Sequence, residues 1–285
     1  VAAVVLAALA GHFGRDLEAN FARIEAVVGE AAECGAALLV LPDAALGGYL
    51  PGFGTSPGDD LPPALDPDGP EIARLVRLAG AMTVCAGYCE SDGARRYNAA
   101  VCVTGDGILG RHRKVHQPAG ERGAYSTGDR FDAFDTPVGR MGMMIDYDKT
   151  FPEAARRLAC DGASILACLS AWPASLTNRA PRLAVDRQSR LFDLYDCARA
   201  AENQVVVVSA NQTGRFGPLT FLGRSKVVGP GGEILARCSA KAALVTATLD
   251  VAAQILQART VLDHLAELRP EAYSPPPPAA TPPAG

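Results

Sequence analysis

Gly139-Arg140-Met141-Gly142-Met143-Met144-Ile145-Asp146-Tyr147-Asp148-Lys149-Thr150-Phe151-Pro152-Glu153 reads in one pass as a strand, a turn and a helix. The apolar run to Ile145 predicts the strand, which delivers Asp146 at its end, and Phe151-Pro152-Glu153 opens a helix that runs to about Asp161. Asp148 and Glu153 are expected to hold the turn and the helix start by accepting backbone N–H bonds. On either side the same alternation repeats, short apolar runs between longer amphipathic ones, and this is the α/β signature.

Upstream, Val1–Leu6 reads as a strand, Leu17–Cys34 as a helix with Leu17, Phe21, Ile24, Val27 and Val28 at helical spacing, and Ala37–Leu41 as the next strand. A βαβ unit therefore opens the chain. Gly and Pro between Gly47 and Pro70 mark a surface loop after a strand end, where α/β proteins put function. A helix near Glu71–Ala79 and strands near Met82–Tyr88 and Asn98–Thr104 follow. Gly105-Asp106-Gly107 is a hairpin turn, and the strand after it, Ile108–Arg113, delivers Lys114. Downstream, Ser164–Leu169 predicts a strand, Pro181–Glu202 a long helix, and Val205–Ala210 an apolar strand. Strands near Arg224–Val228, Glu233–Ala236 and Leu244–Leu249 are expected to complete a second sheet. The segment from Ser274 to Gly285 is a Pro- and Ala-rich tail that cannot pack, which leaves residues 1–273 as one domain.

The bulk numbers exclude several classes of function. With 285 residues, 48% hydrophobic and 20% charged, the chain has ample material for a core. A formal charge of −4 and the lack of basic runs interleaved with aromatics argue against nucleic acid. The apolar start, Val1–Ala10, is too short to span a bilayer and suits a buried strand better. The eight cysteines form no CxxC pair and sit mostly in apolar runs, so they read as reduced residues of a cytoplasmic protein. His12, His112, His116 and His264 lack metal-ligand spacing, no phosphate-binding Gly-rich loop appears, and no cofactor is implied. Lysine is scarce beside arginine: only Lys114, Lys149, Lys226 and Lys241 occur, which makes each more apt to be present for its chemistry.

Several local patterns in order resemble the nitrilase, or carbon–nitrogen hydrolase, superfamily: Leu39-Val40-Leu41-Pro42-Asp43 with Gly48-Tyr49, Tyr97-Asn98, Gly110 to His116, Glu121 with Gly128-Asp129, and the segment quoted first. Gly162-Ala163, Ala200 to Asn203, Ala210-Asn211 and Gly223-Arg224-Ser225 continue the likeness, which runs from about Val1 to Tyr273. It implies a four-layer αββα sandwich, a homodimer or larger homo-oligomer, and a small-molecule substrate. Family members use a glutamate base, a lysine supporting the oxyanion, a cysteine nucleophile and often a second glutamate. Carried across, the lysine is Lys114 and the second glutamate Glu121, while Asp43 stands at the base position and Asp146 at that of the nucleophile. Tyr147 would supply an oxyanion-hole N–H, with Tyr49 and Trp172 near the substrate.

Asp146 decides the chemistry. A carboxylate attacking an acyl carbon would form a strained mixed anhydride, so a thioester-type mechanism does not transfer. Three carboxylates facing one lysine in a partly buried pocket cannot all ionise comfortably, and their pKa values are expected to split into one acid and one base. Exchange of cysteine for aspartate adds bulk at position 146 while glutamate to aspartate removes it at position 43, so the two changes are expected to compensate. The leading reading is an enzyme acting on a small amide, nitrile, imine or carbonyl compound by acid/base chemistry, through cyclisation, dehydration, hydration or direct hydrolysis. Two alternatives stand beside it: ordinary C–N hydrolysis with Asp146 activating water, and a catalytically silent ligand-binding or subunit protein.

Overall fold

The computed structural model describes residues 3–52 and 60–273. The tail from Ser274 and the middle of the Gly47–Pro70 loop lie outside the described residues. Strands β1 (Val4–Gly11), β2 (Ala36–Val40) and β3 (Thr83–Asp92) pair in parallel, and β4 (Arg95–Thr104) and β5 (Gly107–Arg113) extend them by two hairpins. Helices α1 (Leu17–Glu33) and α2 (Pro70–Ala79) cover the outer face, where Phe21, Ile24, Ile72 and Leu75 pack on Leu39, Val84 and Val101. Each helix buries one stripe because its apolar residues recur at three- and four-residue spacing.

The second half repeats this plan. Strand β6 (Phe134–Thr136) edges β7 (Gly139–Ile145), which runs parallel to β8 (Ile165–Ser170) and β9 (Val206–Gln212). Helices α3 (Pro152–Cys160) and α4 (Arg187–Asn203) lie outside it. The two halves join where β1 meets β9, at Ala10–Asn211 and Gly11–Gln212. Beyond that seam they face each other, and Leu6, Leu38 and Val40 of one half pack with Met143, Ile145 and Val208 of the other. Alternation along a strand divides the work: Met143 and Ile145 enter the layer between the sheets, while Met144 faces Leu158 of α3. The layers are helix, sheet, sheet, helix.

Three expectations change. The last strands do not share one sheet: β12 (Lys226–Val228) and β13 (Ile234–Arg237) extend β9, but β14 (Ala243–Leu249) runs antiparallel to β1 from Val4–Leu249 to Ala10–Ala243. It takes the edge of β1 that the short β1–β9 seam leaves unpaired. The long helix starts at Arg187 rather than Pro181, because Asp186 caps it and also accepts hydrogen bonds from Ser175 and Ala180, tying down the preceding segment. The first strand starts at Val4 and reaches Gly11. The strand pairs β10 (Arg215–Phe216) and β11 (Leu219–Thr220), together with helix α5 (Val251–Arg259), add elements the hydrophobic pattern does not announce. All eight cysteines are unpaired, four of them buried, with Cys34 and Cys160 exposed. No helix among the described residues is long and apolar enough to cross a membrane.

Candidate active site

Every parallel strand ends on the same side of the molecule, and the chemistry-bearing residues follow those ends. Asp43 comes after β2, Asp146 directly after β7, Trp172 after β8, and Asn211 and Gln212 close β9. Lys114 follows β5, whose two hairpin reversals return it to this side. Such convergence is the usual origin of a site in an α/β protein.

Lys114 is the centre. Its Nζ lies 2.8 Å from Glu121 Oε1 and 3.3 Å from Asp146 Oδ2, and all three side chains are buried. Tyr49 donates its hydroxyl to the same Glu121 oxygen. Asp43 is fully buried and accepts from Asn98 Nδ2 at 3.1 Å, while Gln212 Nε2 donates to the Asp43 carbonyl at 2.8 Å. One oxygen each of Asp43, Glu121 and Asp146 is buried without a hydrogen-bond partner among the described residues.

The electrostatics divide the carboxyls. Burial is the main force that pushes the Asp43 pKa up to about 8, helped by Asp146 and Glu121 and opposed by Lys114. Burial also raises that of Glu121, against the pull of Lys114. Burial on its own would lower the Lys114 pKa, but Glu121, Asp146 and Asp43 outweigh it and hold the ammonium charged far above the usual lysine range.

Backbone geometry fixes the two aspartates. Asp146 has φ +49°, a left-handed conformation that costs a non-glycine residue on the order of 1–3 kcal/mol and clusters at functional turns. Ala44, just after Asp43, has φ +56°. Gly87 of β3 makes room for that turn: a Cβ there would sit 2.6 Å from Ala44 N. Gly128 does the same beside Lys114, where a Cβ would lie 2.1 Å from the Arg113 carbonyl oxygen.

Asp148 clamps the two halves of the site together. Its carboxylate accepts from Ile145 N at 3.1 Å within its own turn, and from Val115 N at 3.2 Å and His116 N at 2.9 Å beside Lys114. His112 Nε2 and His116 Nδ1 each add a 3.0 Å contact. Burial opposes its charge, yet these histidine and backbone bonds outweigh it and hold its pKa well below the usual carboxylate range. Glu153 is exposed, and no side chain caps α3, so Asp148 alone serves the turn.

A cavity of about 220 Å³ opens beside Asp146, lined by Tyr147, Trp172, Pro118, Pro173 and Leu176, with Gln188 at its wall. Trp172 is held by its backbone N–H to Asn211 Oδ1 at 2.7 Å and by its indole N–H to Gln188 Oε1 at 3.0 Å. Tyr147 packs edge-on against Phe151. Of the residues expected from the sequence, Asp43, Lys114, Glu121 and Asp146 come together, Tyr147 and Trp172 wall the cavity, and Tyr49 stands behind Glu121 with its ring against Phe221. Asn98, Gln212, His112 and Gln188 are polar partners that single-residue reasoning did not select.

A second buried charge cluster supports the Asp146 turn from below. Lys149 lies 2.9 Å and Lys226 2.6 Å from the two oxygens of Asp196, and both ammonium groups sit over the Phe192 ring. Arg199 donates to the Lys149 carbonyl at 2.8 Å. Replacing Asp196 with asparagine keeps the shape but removes the charge both lysines need, so it is expected to cost about 2–3 kcal/mol in denaturant unfolding. An unchanged midpoint would show that the cluster contributes no stability.

The comparisons with known proteins agree with this architecture. The family model described as carbon-nitrogen hydrolase matches residues 1–257. A nitrilase of Pyrococcus abyssi is 34% identical over 77% of this chain and 79% of its own. An (R)-stereoselective amidase of Pseudomonas is 31% identical over 81% and 79%. Among solved structures, a carbon-nitrogen hydrolase of Helicobacter pylori superposes with a TM-score of 0.81 at 24% identity, covering 95% of this chain and 97% of its own. An amidase from Nesterenkonia gives 0.75 at 22%, over 95% of each chain. The chain belongs to the carbon-nitrogen hydrolase family, and its αββα layers are the nitrilase fold.

Proposed function

We propose that the protein is an enzyme of this family that acts on a small amide, nitrile, imine or carbonyl compound by proton transfer, with no cysteine thioester. Asp146 occupies the position where relatives carry a nucleophilic cysteine; one solved form of the Nesterenkonia amidase shows covalent addition of an acetamide moiety at its active-site cysteine. The observation that carries the reading is the pair of buried aspartates around one lysine. Asp43, held protonated by burial, is the acid, and Asp146, paired with Lys114, is the base. Lys114 and the Tyr147 N–H steady negative charge that develops on the substrate oxygen or nitrogen. Cyclisation, dehydration, hydration and direct water attack all use this pair. Ordinary amide hydrolysis, with Asp146 activating water, is the second reading, favoured by the amidases and nitrilases among the relatives.

Intact mass spectrometry tests the mechanism on a panel of amides, nitriles and cyclisable precursors. An acyl adduct is expected on an Asp146→Cys variant and on no residue of the native protein. Accumulation of an adduct on the native chain would overturn the proposal. The pH profile gives a second test. Asp43 must keep its proton to act as the acid, so kcat/KM is expected to fall as pH rises through about 8, and an Asp43→Asn variant should lack that limb. A native rate that climbs through pH 8 would assign the acid elsewhere. Assembly as a homodimer or larger homo-oligomer belongs to the same proposal, supported by exposed apolar side chains at Leu194 of α4 and Leu256 of α5, and read by light scattering.

A further inference from the structure

The candidate site holds more carboxylate than cation. Asp43, Glu121 and Asp146 all act on a single ammonium, that of Lys114, whose hydrogen bonds go to Glu121 and Asp146. Each carboxyl keeps one buried oxygen without a donor: Asp43 Oδ1, Glu121 Oε2 and Asp146 Oδ1. A buried acceptor left in that state costs roughly 1–3 kcal/mol, and more when it is charged. Whatever occupies the site lowers that cost by bringing N–H donors.

The adjoining cavity points the same way. Asp146 is the sole charged residue on its lining, the other walls being mainly apolar, and two aromatic rings, Tyr147 and Trp172, stand beside the carboxylate. Aromatic faces attract organic cations, and carboxylates bind them through charge-assisted hydrogen bonds. A neutral amide fits less well. It brings two N–H donors but also a carbonyl acceptor, and the ammonium that would serve it is already shared between two carboxylates. An amidinium has the same planar shape, donates from both nitrogens and carries no acceptor.

We propose that the site selects small ligands with an amidinium-like head, planar, cationic and donor-only, over the isosteric neutral amide, with the apolar body of the ligand lying between Tyr147 and Trp172. The inference rests on the reading that Asp43, Lys114, Glu121 and Asp146 form the working site. It names the substrate class of that site and needs no turnover to test.

Benzamidinium and benzamide differ in charge and donor count but little in shape. Their binding is compared by titration calorimetry, with the fluorescence of Trp172, the single tryptophan, reporting that the ligand sits in the cavity. On the native protein benzamidinium is expected to bind at least about tenfold more tightly than benzamide, the equivalent of one charge-assisted hydrogen bond. In Asp146→Asn that ratio is expected to collapse toward one. Asp43→Asn serves as the second variant and should reduce the ratio in the same direction. Equal or tighter binding of benzamide, no benzamidinium binding at all, or a preference that survives both substitutions overturns the inference. The outcomes separate from those of the acid/base reading. Turnover lost in Asp146→Asn without any cation preference sinks this inference alone, and cation preference with turnover intact in that variant sinks the acid/base reading alone.

Discussion

Asp146→Asn is expected to lower turnover by roughly a hundred- to ten-thousand-fold, the usual worth of a positioned general base, while the fold stays intact. The substitution isolates the proton acceptor. Asparagine is one of the few residues that tolerates the left-handed backbone, so the φ of +49° at this turn carries no new strain. Its amide oxygen can still face Lys114, which sits 3.3 Å from Asp146 Oδ2. What it cannot do is take a proton at neutral pH. Removal of this charge also takes away one of the forces that raise the Asp43 pKa, so any residual activity should show its basic limb at lower pH than the native enzyme. Full activity with an unchanged thermal midpoint would show that the chemistry runs without Asp146.

The parts of this site legible in the sequence were those written in consecutive residues. The apolar run to Ile145, then Asp146, then Pro152 at the start of α3, fixes a strand, a turn and a helix by local rules, and their bounds in the structure match the reading closely. Asp148 shows the limit. Its place in the turn is readable, but its bonds to Val115 and His116 join it to a segment more than thirty residues away that only the fold brings near. Strand order failed for a similar reason, since β14 has the same alternation whether it edges β9 or β1, and the choice depends on which edge is open. The start of α4 was misplaced because apolar residues before Asp186 continue a helical spacing, while that side chain's bonds to Ser175 and Ala180 stop it. The scarcity of lysine carried more than expected: Lys114, Lys149 and Lys226 are all fully buried in ion pairs, and only Lys241 is exposed.

Lys114→Met is expected to cost about 3–5 kcal/mol of stability near neutral pH, the usual penalty for stripping one partner from a buried ion pair, along with most of the activity. Methionine fills similar volume, so the loss reports charge. Without the ammonium, Glu121 and Asp146 lose their ion-pair partner, and Asp43 loses the one cation that lowers its pKa. The sign of the pH dependence follows. A carboxyl whose folded pKa lies above its unfolded value contributes stability fully present below the unfolded pKa and lost as pH rises through the folded one. Asp43 is already in that position at about 8 and Glu121 is raised in the same direction, and both should move higher in the variant. The gap between native and variant should therefore widen as pH rises from 5 to 8 and narrow on acidification, when protons replace the missing charge. Urea unfolding at the two pH values reads it directly. Lys114→Arg should not restore the native value, because a planar fork does not fit a buried site shaped for a compact ammonium. A methionine variant as stable as the native protein at pH 8 would mean that the carboxylates do not depend on Lys114, and with that the charge balance argued for the site would fail.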